Sequence, residues 1–253
     1  MSEVLAPLSG ATLLGLAASF LLGGFAKGAL GFGLPLVTIS ILPNFLPIDR
    51  ALALNAVALL LMNIAQFVQG GAMVDTVRRC WPLLGGLVLG VPLGATLVNI
   101  VDGAMLRAIL GAFVMLFVLV SVASPRFRVP PRWVVPAGWG TGFVAGIIGA
   151  LTTANGPILV MYLVGLDVPR MVFVASLAWL FLVTGACNVV AYWSIGILDA
   201  ERLLLGVLCM LPAALGMVAG NRLADRLPAR LFRRVVLGVL FVLGANLARR
   251  AIF

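Results

Sequence analysis

Long stretches without a charged residue dominate the chain. A helix needs roughly 20 apolar residues to cross the hydrocarbon core of a membrane, and most of these stretches meet or nearly meet that length. The alternating segments of about ten residues that are typical of a transmembrane β-barrel are absent from the pattern. The sequence therefore predicts an all-α polytopic membrane protein, with charge-free runs at 4–26, 28–48, 51–74, 80–101, 108–125, 133–166, 171–198 and 203–221.

The chain also contains an internal duplication. Residues 24–31 read GFAKGALG and residues 142–149 read GFVAGIIG, and a proline follows each segment, at Pro35 and at Pro157. An ordered series of matches in nearly one register indicates two homologous units. The series continues with Asp75 and Asp199, Arg78 and Arg202, Gly94 and Gly216, and Asn99 and Asn221.

A basic, proline-rich stretch separates the two units. We therefore assign residues 4–123 to a first membrane repeat, 124–134 to a connecting basic loop and 135–253 to a second membrane repeat.

Each repeat opens with an apolar segment that is too long for one crossing. In residues 4–48 the only charge is Lys27, and a continuous helix of that length would span more than twice the roughly 30 Å core. Glycine and proline predict breaks at 31–35 (GFGLP) and at 149–157 (GALTTANGP). Paired broken or re-entrant helices at matching positions of two repeats are typical of a transporter's binding site.

The distribution of arginine favours one topology. If each broken segment crosses once, the arginines divide eight against eight between the two sides; if each crosses twice, they divide eleven against five. Only the second arrangement obeys the positive-inside rule. Each repeat then has five passes, and an odd number predicts that the two repeats are inverted relative to each other.

Composition excludes several classes of function. The net charge of +9 comes from arginines in short loops between apolar runs, which favours a topology signal over nucleic-acid binding. There is no histidine, the three cysteines are scattered, and no carboxylate lies in the middle of an apolar run. We therefore expect no catalytic residues, no cofactor and no metal site.

Lys27 is the first candidate for substrate binding. It is the only lysine and lies within an apolar segment just before the first break. A charge in the membrane costs roughly 2.5–3.5 kcal/mol on insertion scales and is a functional hypothesis by default, although the side chain could also snorkel to an interface. The backbone around the first break adds Gly28, Gly31, Phe32 and Gly33 to the predicted anion site.

The second break contributes hydroxyl and amide groups. Helix N-termini at such breaks present unpaired N–H groups and positive dipole ends, which suit anions; small residues also suit close helix packing. The predicted contacts here are Thr152, Thr153, Asn155 and Gly156.

Further polar residues lie in the later helices. We expect most of them to bond across helices, with Asn55, Ser176 and Asn188 as weaker candidates for lining the pathway. The others in this group are Asn63, Gln66, Gln69 and Thr184.

Two arginines open long helices at equivalent positions. Arg50 follows Asp49 directly, and Arg170 follows Asp167 by three residues. We expect these four residues to form gating or structural ion pairs.

The glycine-rich segments resemble the sulfite exporter TauE/SafE family of bacterial membrane permeases. The resemblance lies in residues 24–35, in 146–149 and in 155–157, and it extends to chain length and internal duplication. It implies export of a small sulfur-containing anion, sulfite or an organosulfonate such as sulfoacetate.

These observations predict a secondary transporter, not an enzyme, that works by alternating access in a bacterial inner membrane. The expected partners are a small anionic substrate and membrane lipid, with no nucleic acid, and the pattern is compatible with a homo-oligomer. An anion channel and a non-transporting membrane scaffold are the alternative functions.

Overall fold

The computed structural model describes residues 9–69, 73–123 and 128–224, together with scattered positions between 237 and 249. The described chain is helical and contains no strand. Its helices are α1 (Gly10–Leu30), α2 (Leu34–Ile41), α3 (Ile48–Gln69), α4 (Met73–Ile100), α5 (Gly103–Ala123), α6 (Val134–Thr152), α7 (Gly156–Gly165), α8 (Arg170–Ser194) and α9 (Ala200–Ala224). Two 3₁₀ turns, Leu42–Asn44 and Pro131–Trp133, supplement them.

Within the described residues, six helices are long and apolar enough to cross a membrane: α1, α4, α5, α6, α8 and α9. Many large apolar side chains on their outer faces are exposed, among them Leu14, Ile100 and Leu215. An apolar outer surface is expected for helices in lipid, where there is no water to exclude. The sequence prediction of an all-α protein with membrane-spanning helices is confirmed.

Both predicted breaks are present. Helix α1 ends at Leu30, Gly31 and Gly33 adopt positive φ angles of 80° and 112°, and α2 begins at Leu34. Glycine reaches such angles without the steric cost that a Cβ adds. The second break lies between α6 and α7, where Thr153 takes a left-handed conformation with φ 54°.

Each short helix folds back along the long helix that precedes it. A Cβ built on Gly15, near the start of α1, would lie 2.7 Å from the ring of Phe45, which follows α2. The amide of Val129, in the connecting loop just ahead of α6, donates to the carbonyl of Gly165 at the end of α7 (2.8 Å). Helices α1 and α2 therefore form one hairpin, and α6 and α7 form another.

The ends of the helices gather at two opposite faces. At the first face, Arg202 at the start of α9 pairs with Asp49 at the start of α3, and Asn99 at the end of α4 bonds the carbonyl of Ile195 after α8. The α1–α2 hairpin opens toward this first face. The α6–α7 hairpin opens toward the opposite, second face, where α5 ends and α8 begins.

Helix α9 packs along α1 at very short range. A Cβ built on Gly24 would overlap the carbonyl oxygen of Ala213, and a Cβ built on Gly28 would overlap that of Met217. Because the contact positions rise together along both helices, α1 and α9 run parallel. Glycine is required here because the two backbones touch.

Helices α4 and α6 repeat this arrangement. A Cβ on Gly86 would overlap the carbonyl oxygen of Trp139, and a Cβ on Gly90 would overlap that of Phe143. These helices are therefore parallel as well. The opening helix of each predicted repeat thus packs against a late helix of the other.

Helix α3 lies at the centre. Its residues from Ala51 to Leu59 are all buried, and most of them belong to a core that also contains residues of α1, α2, α4, α8 and α9. A helix that is enclosed by other helices is a typical core element of a membrane bundle. This central helix also carries Asn55 and Asn63, which bond Thr38 on α2 and Lys27 in the last turn of α1.

Candidate functional site

Lys27 is buried, with 3% of its surface exposed, in the last turn of α1. Its Nζ donates a hydrogen bond of 2.7 Å to Oδ1 of Asn63 on α3 and lies 5.8 Å from the ring centre of Phe181 on α8. No carboxylate in the described part of the chain lies within ion-pair distance of Nζ. No carboxylate therefore offsets the charge of the ammonium, and a bound anion would be its counterion.

The N-terminus of α2 lies beside Lys27. Gly33 is the N-cap and provides no side chain to accept a hydrogen bond, and Pro35 has no N–H. The backbone N–H groups of Leu34 and Leu36 remain without an intrahelical acceptor, as the first N–H groups of any helix do. This end of α2 therefore carries a partial positive charge of about half a unit.

The N-terminus of α7 faces the same space from the other hairpin. Asn155 is the N-cap, but its side chain does not bond the helix; its Nδ2 donates to Thr184 instead (3.1 Å). Pro157 again removes one N–H, which leaves the N–H of Gly156 at the tip. The two short helices therefore direct two positive dipole ends toward one place.

These elements enclose a buried cavity between the two breaks. It is narrow: about 10 Å³ is open to the centre of a water molecule, which is room for about one water. A larger anion requires neighbouring side chains to move. The lining consists of Lys27, Phe32, Gly33, Leu34, Pro35, Leu36, Leu59, Thr153, Ala154, Gly156 and Phe181.

Five of the nine predicted substrate contacts line this cavity: Lys27, Phe32, Gly33, Thr153 and Gly156.

The other four predicted contacts have different surroundings. Gly28 faces α9, and Gly31 is exposed with no neighbour within 4 Å of a Cβ. The hydroxyl of Thr152 donates to the carbonyl of Ile148 (2.6 Å) and accepts from the amide of Ala154 (3.1 Å). The fourth, Asn155, bonds Thr184.

The weaker candidates for the pathway are buried but do not line the cavity. Asn55 accepts a hydrogen bond from Thr38 (2.5 Å), and Asn188 donates to the carbonyl of Gly149 (3.0 Å). Ser176 is buried with no hydrogen-bond partner for its hydroxyl among the described residues.

The acidic residues near the helix starts have other partners than we expected. Asp49 pairs with Arg202 (3.2 Å) and not with Arg50, because adjacent residues on a helix point in different directions. Asp167, which has a positive φ of 53°, pairs with Arg128 (2.8 Å). The side chain of Arg170 lies outside the described part of the structure.

A second cavity lies at the first face, and Arg202 is one of its lining residues. Its guanidinium also lies 3.5 Å from Asp199 and donates to the carbonyl of Ile197. The cavity is open and measures about 360 Å³, and Asp49, Asn99 and Arg202 are among its lining residues. It forms a polar vestibule at the end of the bundle where α9 begins.

Apart from Phe32, the large apolar side chains that line the cavity were not predicted from sequence. Leu36, Leu59 and Phe181 belong to apolar helix faces that look like any other buried face in sequence. Asn63 was expected only to bond across helices. Its spacing within an apolar helix gives no sign that its partner is the buried lysine.

Among the described residues there is no cluster of histidine, cysteine, aspartate or glutamate that could hold a metal ion. The site offers instead one ammonium, backbone N–H groups at two helix ends and a hydroxyl, all of which suit a small anion.

Comparison with known proteins agrees with the resemblance in the glycine-rich segments. A sequence model of the family described as sulfite exporter TauE/SafE matches residues 16–247, nearly the whole chain. No curated protein and no solved structure gives a significant match. With its membrane-spanning helices and this match, the chain is a multi-pass membrane protein that belongs to the sulfite exporter TauE/SafE family, a family of transporters.

Proposed function

We propose that this protein exports a small sulfur-containing anion, sulfite or an organosulfonate such as sulfoacetate, across the bacterial inner membrane by alternating access. The observation that carries the proposal is the convergence of Lys27 and the N-termini of α2 and α7 on one buried cavity. Membership of the sulfite exporter family supports the substrate class.

The charge of the cavity supports an anion with one or two negative charges. The ammonium supplies one positive charge, and each helix end supplies about half a unit. Together they balance about two negative charges, while the surrounding side chains Leu36, Leu59 and Phe181 are apolar. Such a site accepts a compact sulfonate or sulfite group and discriminates against cations.

The arrangement of the hairpins supports an inverted repeat, residues 4–123 followed by residues 135–253. One hairpin opens toward the first face and the other toward the second face, and each opening helix packs in parallel with a late helix of the other unit. Two units related in this way can rock around one central site and expose it to each side in turn.

The membrane potential supports export. Moving one charge across 100 mV changes the free energy by about 2.3 kcal/mol, so a divalent anion gains about 4.6 kcal/mol on leaving a negative interior. Export therefore needs no coupling ion. We assign the second face to the cytoplasm because the arginine-rich segments, including Arg128, Arg132 and Arg222, lie there.

The test is flux of sulfite and of sulfoacetate in proteoliposomes under an imposed potential, for wild type beside Lys27→Ala. We expect saturable, potential-driven efflux that falls at least tenfold in the variant. If the variant exports the anion as fast as the wild type, Lys27 does not belong to the substrate site.

The same vesicles separate the alternatives. In a carrier, an unlabelled anion outside the vesicles accelerates the efflux of a labelled anion from inside. In a channel it does not. Absence of any anion flux or binding by correctly folded protein would favour the scaffold.

A further inference from the structure

The second break contains a buried amide whose oxygen has no hydrogen-bond donor. Nδ2 of Asn155 donates to the hydroxyl of Thr184, and that hydroxyl donates its own proton to the carbonyl of Leu180 (2.8 Å). The Thr184 oxygen can therefore only accept from Asn155, which fixes the nitrogen of the amide on that side. Oδ1 of Asn155 is fully buried and has no partner among the described residues.

A second amide beside it is in the same condition. Nδ2 of Asn188 donates to the carbonyl of Gly149, an atom that can only accept, so this amide is also fixed in orientation. Its Oδ1 is buried and has no donor in the described part of the chain. Both amides surround Gly149, because Nδ2 of Asn155 lies 2.9 Å from the position that a Cβ of Gly149 would take.

Both amides contact the C-terminal end of α6, whose last carbonyl groups carry a partial negative charge. Asn155 is also the N-cap of α7, whose end carries a partial positive charge. Asn155 would ordinarily turn its oxygen toward the N–H groups of α7 as an N-cap, but it does not. A buried oxygen without a donor costs about 1–3 kcal/mol, so these two oxygens call for a cationic or proton-donating partner.

The first repeat shows what such a partner is. There the buried oxygen of Asn63 accepts from the ammonium of Lys27. In the aligned segments 24–31 and 142–149, Lys27 corresponds to Ala145, which has no charge to offer. The second repeat therefore places amide oxygens near the equivalent break, but it has no side chain that carries a cation there, as Lys27 does in the first repeat.

We propose that the second break binds a monovalent alkali cation of the sodium class through Oδ1 of Asn155 and Oδ1 of Asn188, together with carbonyl oxygens at the end of α6. Neutral oxygens suit a monovalent ion, whereas divalent ions in proteins usually recruit carboxylates, and no aspartate or glutamate lies in α6, α7 or α8. Carbonyls at broken helix ends bind Na⁺ in other transporters.

The bound ion is the counterpart of the Lys27 ammonium. It is resident and keeps the α6–α7 break in the shape that presents the N-terminus of α7 to the anion. Its effect on transport rests on the proposed anion export, but its binding does not.

The test is thermal unfolding of the purified protein in detergent, without any sulfur anion, at constant chloride and ionic strength. Replacing choline by Na⁺ should raise the unfolding temperature in a saturable way, as for any ligand that binds only the folded state. Retention of labelled ²²Na⁺ by the same protein gives a second, direct measurement.

Two variants of α8 make the test specific. Asn188→Leu should weaken Na⁺ binding at least tenfold. Tyr192→Phe removes a hydroxyl that donates to the carbonyl of Ala150 at the same helix end, but it removes no proposed ligand. Tyr192→Phe should lower the unfolding temperature equally in both salts, and Na⁺ should still raise it relative to choline. If Asn188→Leu does not fold, the wild-type measurements alone decide.

Equal unfolding temperatures in sodium and choline chloride, with no retained ²²Na⁺, would mean that water satisfies the two oxygens and would overturn the proposal. Na⁺ binding without anion flux would uphold this site and refute the export function. Anion flux that is independent of Na⁺, in protein that retains no ²²Na⁺, would uphold the export function and refute the sodium site.

Discussion

The ammonium of Lys27 donates a 2.7 Å hydrogen bond to the amide oxygen of Asn63, and both side chains are buried. The partner of this charge is thus a neutral amide on the central helix α3. A carboxylate at that position would cancel the charge, whereas the amide orients it and leaves it available. Asn63 therefore holds the ammonium in place without cancelling its charge.

Asn63→Asp should abolish the affinity for anions. A carboxylate about 4 Å from the ammonium interacts with it by about 4 kcal/mol at an effective dielectric constant of 20, which competes directly with a substrate anion. We expect anion efflux to fall at least tenfold while the protein remains folded. Asn63→Gln, which keeps a neutral amide, should lose less. Equal efflux in wild type and Asn63→Asp would contradict this role.

Lys27→Met should separate stability from transport. Removing the buried charge relieves a cost of roughly 2.5–3.5 kcal/mol, while the orphaned oxygen of Asn63 adds about 1–3 kcal/mol. The two effects nearly cancel, so the unfolding temperature should change little, whereas efflux is lost. A large drop in the unfolding temperature would instead indicate that the lysine serves folding.

Gly142→Ala should destabilise the protein because the new methyl group overlaps the carbonyl of Leu83 on α4. Overpacking of this kind costs about 1–3 kcal/mol. Gly140→Ala is the matched control on the same helix, because no atom lies within 4 Å of its Cβ position. Thermal unfolding in detergent should show a lower unfolding temperature for Gly142→Ala only. If both variants melted alike, close contact between α4 and α6 would be excluded.

Asp49→Asn should have a small effect on stability. The side chains of Arg202 and Asp49 are 20% and 40% exposed, and such pairs contribute about 0–1 kcal/mol. Arg202→Met should cost more, about 1–3 kcal/mol, because it also leaves the carbonyl of Ile197 without its donor. Thermal unfolding of both variants measures the two losses of stability. A larger loss for Asp49→Asn than for Arg202→Met would contradict the prediction.

Sequence predicted the helix breaks and part of the site for an identifiable reason. Glycine and proline act locally, so residues 31–35 and 149–157 mark the breaks wherever the helices pack. Lys27 was recognisable because a charge in an apolar run is rare. Phe181 and Leu59 could not be recognised, because an apolar side chain facing the cavity and one facing a neighbouring helix look the same in sequence.

The ion pairs show a second limit of sequence reading. Asp49 and Arg50 are neighbours along the chain, but helix geometry turns them apart, and the partner Arg202 lies in the other predicted repeat. Only the packing of α9 beside α3 brings these two residues together. Pairings between distant segments follow from the fold and not from spacing.

The parallel packing of α9 on α1 has a consequence for how the protein is made. The glycine face of α1 is synthesised before α9, and the carbonyls of Ala213 and Met217 that cover it follow about 190 residues later. During this interval lipid or the insertion machinery must cover that face. Neither half can complete its packing alone, so the two halves assemble as one interlocked unit only after α9 has been synthesised.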